Sequence, residues 1–172
     1  TKGEKQAKEI GRLLNQFDKV FCSIANRTRQ TLDIILSQAS ITTNPIVYSE
    51  KIQELSQGDW EGRLRSEIYT PERLDEINSN QWLFKAPYGE SQKEVEERMM
   101  SFIENNIVSQ NSEGNFLIVG HGMAFKCLLR GILGISSLMA YKLLIDNVSL
   151  TKLRYDSNDG WYLDYLNKTT SF

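Results

Sequence analysis

The stretch from Asn115 to Gly122, Asn-Phe-Leu-Ile-Val-Gly-His-Gly, constrains this chain more than any other. Phe116 to Val119 is an unbroken apolar run, the pattern of a short strand covered on both faces. Gly120, His121 and Gly122 follow at once, and Met123 to Ile132 then has the apolar spacing of a helix. A buried strand that stops at a glycine-flanked polar residue and turns into a helix puts that residue at the carboxyl edge of a sheet. Open α/β sheets bind ligands at that edge, and the free N–H groups of the following helix favour an anion there. His121 is the only histidine in 172 residues, so any imidazole chemistry of this sequence passes through it.

Around this stretch, strand and helix patterns alternate. Lys2 to Phe17 reads as a helix with Ala7, Ile10, Leu14 and Phe17 on one stripe. Lys19 to Ser23 reads as a strand, Asn26 to Gln38 as a helix carrying Leu32, Ile35 and Leu36 inward, and Ile46 to Ser49, after Pro45, as another strand. Ser91 to Ile107 is a helix whose buried face holds Val95, Met99, Phe102 and Ile103. Val148 to Tyr155 and Trp161 to Asn167 alternate apolar and polar residues around Asn158-Asp159-Gly160, the signature of a hairpin. The alternation predicts a mostly parallel sheet between helical layers, an α/β/α sandwich of three layers with a C-terminal hairpin.

Glu50 to Gly89 breaks the pattern. It mixes charge with Trp60, Tyr69, Trp82, Phe84 and Tyr88, contains Pro71 and Pro87, and supports only short helices near Arg63 to Tyr69 and Pro71 to Asn78. So many large apolar side chains do not stay solvated, so we read 50–89 as a cap over the sheet edge within a single domain, 1–172.

Composition narrows the function. A net charge of −2 argues against a nucleic-acid binder, which usually shows a basic face. No apolar run approaches the roughly 20 residues of a membrane helix, and no signal peptide is visible. The spacing of Cys22 and Cys127 is neither a metal nor a redox pattern, and one histidine without clustered cysteines does not build a typical zinc site. We therefore expect a cytoplasmic protein with reduced thiols and no cofactor; a homodimer is compatible with the sequence.

Three further residues fall at predicted strand ends. Arg27 opens the helix after Ser23, Glu54 lies just past Ser49, and Ser149 lies near the start of the hairpin. With parallel strands, Arg27, Glu54 and His121 converge on one edge. A guanidinium fork, an imidazolium and a carboxyl at a helix N-terminus suit a phosphate ester, two groups holding oxyanions and the third protonating a leaving oxygen. Each has an ordinary alternative. Arg27 can pair with Asp33 or cap its helix, His121 can be a buried structural residue, and Glu54 can be a solvated carboxylate with Glu61 as competing acid. Gly122 is expected to supply backbone geometry and an N–H. Glu90 and Arg98 read as a helix-start charge and a helix-surface ion pair. Trp82, Phe84 and Tyr88 are either cover for the sheet edge or walls of a substrate pocket.

These residues resemble the histidine phosphatases, the phosphoglycerate-mutase-like superfamily, along essentially the whole chain. The matching segments are Thr1 to Ala7, Ser23-Ile-Ala-Asn-Arg27-Thr-Arg-Gln30-Thr31, Glu54-Leu-Ser-Gln-Gly58-Asp-Trp60-Glu-Gly62, Gly89-Glu90-Ser91 with Arg98, Val119-Gly-His121-Gly122 and Asn147-Val-Ser149. The resemblance implies that Arg27 clamps phosphate, Glu54 donates the proton and His121 is the second catalytic histidine. It implies hydrolysis of a small phosphate monoester through phosphohistidine, in the manner of the small broad-specificity and α-ribazole phosphatases. Sugar phosphates, phosphoserine-like metabolites and ribazole phosphate are the substrates it suggests. A phosphoglycerate mutase and a non-catalytic phosphate-ligand binder or interaction module are the alternatives. An α/β-hydrolase would need a Gly-x-Ser-x-Gly elbow, which is missing.

The family's nucleophile is the histidine of an Arg-His-Gly motif closing a first, central strand. No such motif occurs in this sequence. We expect it upstream of Thr1, in a segment the gene encodes; a naturally degenerate member is the other explanation.

Overall fold

Alternation along each strand divides its side chains between two cores. In the computed structural model, which describes residues 1–39, 45–110 and 113–170, β1 (Lys19–Ser23) is the middle of a parallel three-stranded sheet. β2 (Ile46–Ser49) lies on one side and β3 (Phe116–Val119) on the other. Val20, Cys22, Leu117, Val119 and Ile46 face one layer, and Phe21, Ile118, Phe116 and Val47 face the opposite one. That two-sided burial is what an apolar run without alternation predicts.

The first layer is α1 (Lys2–Leu13) packed on α2 (Asn26–Gln38), with Ala7, Ile10, Leu32 and Ile35 buried against the sheet. The opposite layer is α5 (Gln92–Ile103) against α6 (Gly122–Leu133), with Val95, Met99, Phe102, Cys127 and Leu128 buried. α1 is shorter than predicted: Leu14 leaves it in an extended conformation, although Leu14 and Phe17 still pack on the same core. The helix expected at Ser91 to Ile107 begins with Ser91 as N-cap in a capping box with Glu94, and from Glu104 to Val108 it widens into a π turn. The hairpin is β4 (Leu150–Asp156) with β5 (Gly160–Lys168), a separate antiparallel pair. Among the described residues no helix is long and apolar enough to cross a membrane.

Between β2 and α5 the chain makes two short helices, α3 (Arg65–Ile68) and α4 (Pro71–Ser79), with a small core of Trp60, Ile68 and Ala86 beneath Tyr69, Ile77 and Phe84. Its two ends meet backbone to backbone. Asp59 N–H donates to the Pro87 carbonyl at 3.0 Å, and Glu90 N–H to that of Ser56 at 2.9 Å. Gly58, at φ +49°, sits inside this seam, where a Cβ would come within 2.1 Å of the Pro87 oxygen.

A second close approach sets the α1–α2 distance. A Cβ on Gly11 would lie 2.7 Å from the Ile35 carbonyl oxygen and 3.1 Å from Ile35 Cα. Gly11→Ala is therefore expected to destabilise the protein by about 1–3 kcal/mol through overpacking. That exceeds the up to ~1 kcal/mol that alanine contributes in a helix interior. A urea-unfolding midpoint equal to or above the parent's would show that the two helices can separate at no cost.

Candidate functional site

The parallel register places Val119 level with Cys22, so His121, two residues on, lies beside the end of β1 and the start of α2. There the residue is 6% exposed and its ring is bonded at both nitrogens. Nδ1 faces Arg27, with Nε at 3.2 Å and Nη2 at 2.9 Å, and Nε2 faces Ser23 Oγ at 2.8 Å. A guanidinium only donates, so Nδ1 must offer its lone pair and Nε2 carries the proton toward the serine. This is the neutral imidazole. Burial holds the His121 pKa below 6.5 and the Arg27 charge adds to the depression, with Glu54 opposing. The imidazolium anticipated from sequence is thus disfavoured in the free site. Arg27 itself is exposed, and it turns to His121; no Arg27–Asp33 ion pair occurs among the described residues. Ser23, wholly buried, is the group that sequence reasoning passed over. Its signal was a hydroxyl closing the otherwise apolar run Val20-Phe21-Cys22.

Glu54 reaches the same edge from the loop after β2. Its Oε1 accepts from Leu55 N–H at 2.9 Å and Ala124 N–H at 3.0 Å, and its Oε2 accepts from Met123 N–H at 3.2 Å. The chain's own carboxylate therefore occupies the N-terminus of α6, where an anionic ligand was expected. Gly122 N–H remains without a partner among the described residues. A Cβ on Gly122 would meet nothing within 4 Å, so the residue opens onto free space.

The loop that carries Glu54 is held by Arg98. Its guanidinium grips Glu90 with Nε at 2.7 Å and Nη2 at 2.9 Å, and donates to the carbonyls of Lys51 at 2.9 Å and Glu54 at 3.1 Å. Arg98 and Glu90 are only 14% and 26% exposed, and Glu90 also accepts Ser56 N–H at 3.1 Å. Burial pushes the Glu90 carboxyl up, and the bonds from Arg98 and Ser56 more than offset it, leaving it below the usual range. The helix-surface ion pair expected from sequence is instead a half-buried clamp between α5 and the Glu54 loop, because Arg98 lies on the side of α5 that faces that loop.

Arg27, Glu54, His121 and Gly122 line one open cleft of about 990 Å³, which runs along the outer side of β3 to Val148, Ser149 and Leu150. Ser149 Oγ is buried there without a hydrogen-bond partner, and Val148 is held at φ 56°. Glu61 does not line the cleft; it accepts from Ser56 Oγ and Gln57 N–H. Of the three aromatics left open by sequence, Phe84 lines a second pocket behind Glu54, Trp82 lies under the Arg130 guanidinium at 4.1 Å, and Tyr88 is 91% exposed. Among the described residues no group of three or more His, Cys, Asp or Glu side chains is placed to hold a metal ion. Cys127 is buried in the α5–α6 core, which pushes its thiol up to about 12 and leaves it unreactive.

A single histidine gives a single ring signal, so its titration can be followed directly by NMR. The midpoint is expected below 6.5 and should rise toward it in Arg27→Ala. The unfolded chain then binds more protons than the folded one, so stability is expected to fall as pH drops below 6.5 through the folded midpoint. A midpoint at or above 6.5 in the parent would contradict the neutral, Arg27-bonded imidazole.

The chain matches the histidine phosphatase superfamily (branch 1) over residues 1–169. A Shigella boydii protein named "Probable phosphoglycerate mutase GpmB" is 27% identical over 173 residues, covering 95% of this chain and 78% of that protein. The crystal structure of the alpha-ribazole phosphatase from Shigella flexneri superposes with a TM-score of 0.81 at 24% identity, covering 98% of this chain and 83% of its own. That of phosphoserine phosphatase from Entamoeba histolytica in complex with 3-phosphoglyceric acid gives 0.81 at 20% identity, covering 96% and 82%. With a match along nearly its whole length, the chain belongs to the histidine phosphatase superfamily.

Proposed function

We propose that this chain forms the body of a phosphatase that hydrolyses small phosphate monoesters through a phosphohistidine. One observation carries the reading: an exposed guanidinium, a buried imidazole, an unpartnered backbone N–H and a carboxyl converge on one cleft. An arriving phosphoryl group would draw the Arg27 donors from His121 Nδ1 onto two oxygens, with Gly122 N–H on a third. His121 then sits beside an anion instead of a cation, which favours its protonation and lets it donate to the same group.

With Nε2 facing Ser23 and Nδ1 protonated beside the phosphoryl group, His121 has no lone pair with which to attack phosphorus, so it does not serve as the nucleophile. That role falls, by the family resemblance, to the histidine of an Arg-His-Gly strand upstream of Thr1. The outer side of β3 and residues 148–150 line the same cleft, and a strand laid there parallel to β3 would end beside His121. Its imidazole nitrogen attacks phosphorus as the P–O bond to the alcohol breaks, and Glu54 protonates the departing oxygen. Oε2 of Glu54 accepts only one N–H, which leaves a lone pair to hold that proton. Glu54 then takes a proton from the water that attacks the phosphohistidine, releasing inorganic phosphate. The mutase name of a relative points to the other reading within the family. The aromatic pocket behind Glu54 suits a larger alcohol than glycerate and favours hydrolysis.

The protein carrying the upstream strand is expected to hydrolyse an aryl phosphate and to yield an acid-labile phosphoenzyme, whereas the 172 residues alone show no turnover. Normal turnover by the shorter chain, or a gene with no upstream histidine, would overturn the mechanism. In the active form Arg27→Ala is expected to lower kcat by about 10²–10³, the scale for losing a preorganised donor. A loss below tenfold would make Arg27 structural. Glu54→Gln should slow alkyl phosphates far more than aryl phosphates, because only an alkoxide strongly needs a proton on leaving. Equal losses on both would remove Glu54 from the role of acid.

A further inference from the structure

We propose that the pocket behind Glu54 receives the alcohol half of the substrate, and that Gln92 makes it selective for a flat, ring-bearing alcohol carrying an N–H or O–H donor. The proposal rests on the phosphatase reading and adds the substrate class. Glu54 lines both cavities, with Arg27 and His121 in one and an aromatic-walled space of about 240 Å³ in the other. An ester oxygen placed to take the Glu54 proton therefore has its phosphorus on the Arg27 side and its carbon on the aromatic side.

The walls of that space decide what the carbon side can be. Trp60, Tyr69 and Phe84 form a packed aromatic group, Trp60 lying 5.7 Å from Phe84 and 6.1 Å from Tyr69 between ring centres. Met123 and Ile77 add apolar surface, and the volume matches one or two fused rings. The charges at its edge are already matched: Glu90 is gripped by Arg98, and Lys85 lies 2.9 Å from Glu94. Lys85 is the one lysine or arginine among the residues lining this space, and its charge is already matched by Glu94.

Gln92 supplies the polar requirement. It is 2% exposed, at the first turn of α5, and its Nε2 donates to the Gln81 carbonyl at 3.2 Å. That bond fixes the amide, since the flipped form would set two acceptors against each other. Oε1 is then a buried acceptor with no partner, which is unfavourable unless a donor arrives. Tyr141 lines the same space and its phenol oxygen is hydrogen-bonded by the Gln92 side chain, whose donor is the Nε2 amide, so that contact leaves Oε1 without a partner. A ring N–H or O–H entering the pocket satisfies the orphan acceptor, whereas a ring of the same size without a donor buries it further.

The test uses the full natural-length protein and three alkyl esters with similar leaving oxygens: 2-(indol-3-yl)ethyl, 2-(naphthyl)ethyl and ethyl phosphate. The indolyl ester is expected to exceed the naphthyl ester in kcat/KM by about ten- to hundredfold, the scale for a satisfied against an unsatisfied buried acceptor. Ethyl phosphate should fall below both. Gln92→Met should bring the indolyl-to-naphthyl ratio close to one while the advantage of both over ethyl persists. Phe84→Ala should reduce that advantage. A parent enzyme with no indolyl preference overturns the proposal without any variant. Binding of 2-(indol-3-yl)ethanol against 2-(naphthyl)ethanol, followed by NMR, needs no turnover. Preferential indolyl binding with no hydrolysis of any ester would support the pocket's selectivity and overturn the phosphatase reading. Hydrolysis without preference would do the reverse.

Discussion

A helix N-terminus presents unpaired N–H groups and a partial positive charge, and in α6 the chain meets both with Glu54. The rest of the site follows from that contact. It fixes the loop after β2 against the start of α6, so the carboxyl cannot swing freely into solvent. It also sets the boundary between the Arg27–His121 cleft and the aromatic space behind it. Arg98 makes the contact durable by holding the backbone carbonyls of Lys51 and Glu54 while paired to Glu90. Removing one partner of such a half-buried pair strands a charge, so the clamp works only as a unit.

The elements of the fold were legible because burial writes itself into apolar spacing. Phe116 to Val119 read as a strand with two covered faces and Lys19 to Ser23 as a strand, and the side chains of both divide between the two cores. Boundaries were less legible: the stripe through Leu14 and Phe17 suggested more helix than Lys2–Leu13, because both residues are partly buried in extended chain just as they would be in a helix. Arg27, Glu54, His121 and Gly122 could be placed on one edge from strand ends alone. Their partners could not. Ser23 and His121 are 98 positions apart, Glu54 and Ala124 are 70, and Arg98 and the Glu54 carbonyl are 44. No local pattern encodes such pairings, which is why Arg98 read as a surface charge and a solvated carboxylate stayed open as the alternative for Glu54.

The charge state of His121 is the other quantity that composition concealed. A lone histidine at a predicted anion site suggests an imidazolium, yet burial and a guanidinium at 2.9 Å both press toward the neutral ring. The two facts are reconciled by who occupies Arg27. With its donors on Nδ1, Arg27 is a cation satisfied by a neutral acceptor, an arrangement with little Coulomb attraction to hold it. An oxyanion offers the same donors charge-assisted bonds, which are roughly twice as strong as neutral ones.

The exchange also explains why Arg27 is exposed while its acceptor is buried. A buried guanidinium would have to be desolvated before ligand arrived, with only an imidazole to compensate it. At the mouth of the cleft it is exposed and carries no such desolvation cost. His121 then needs no movement: Ser23 holds Nε2 at 2.8 Å, and the ring keeps its orientation when Arg27 turns away. The serine thus fixes the tautomer and the arginine sets the charge, so under the proposed function protonation of His121 would be a consequence of phosphate binding and not a condition for it.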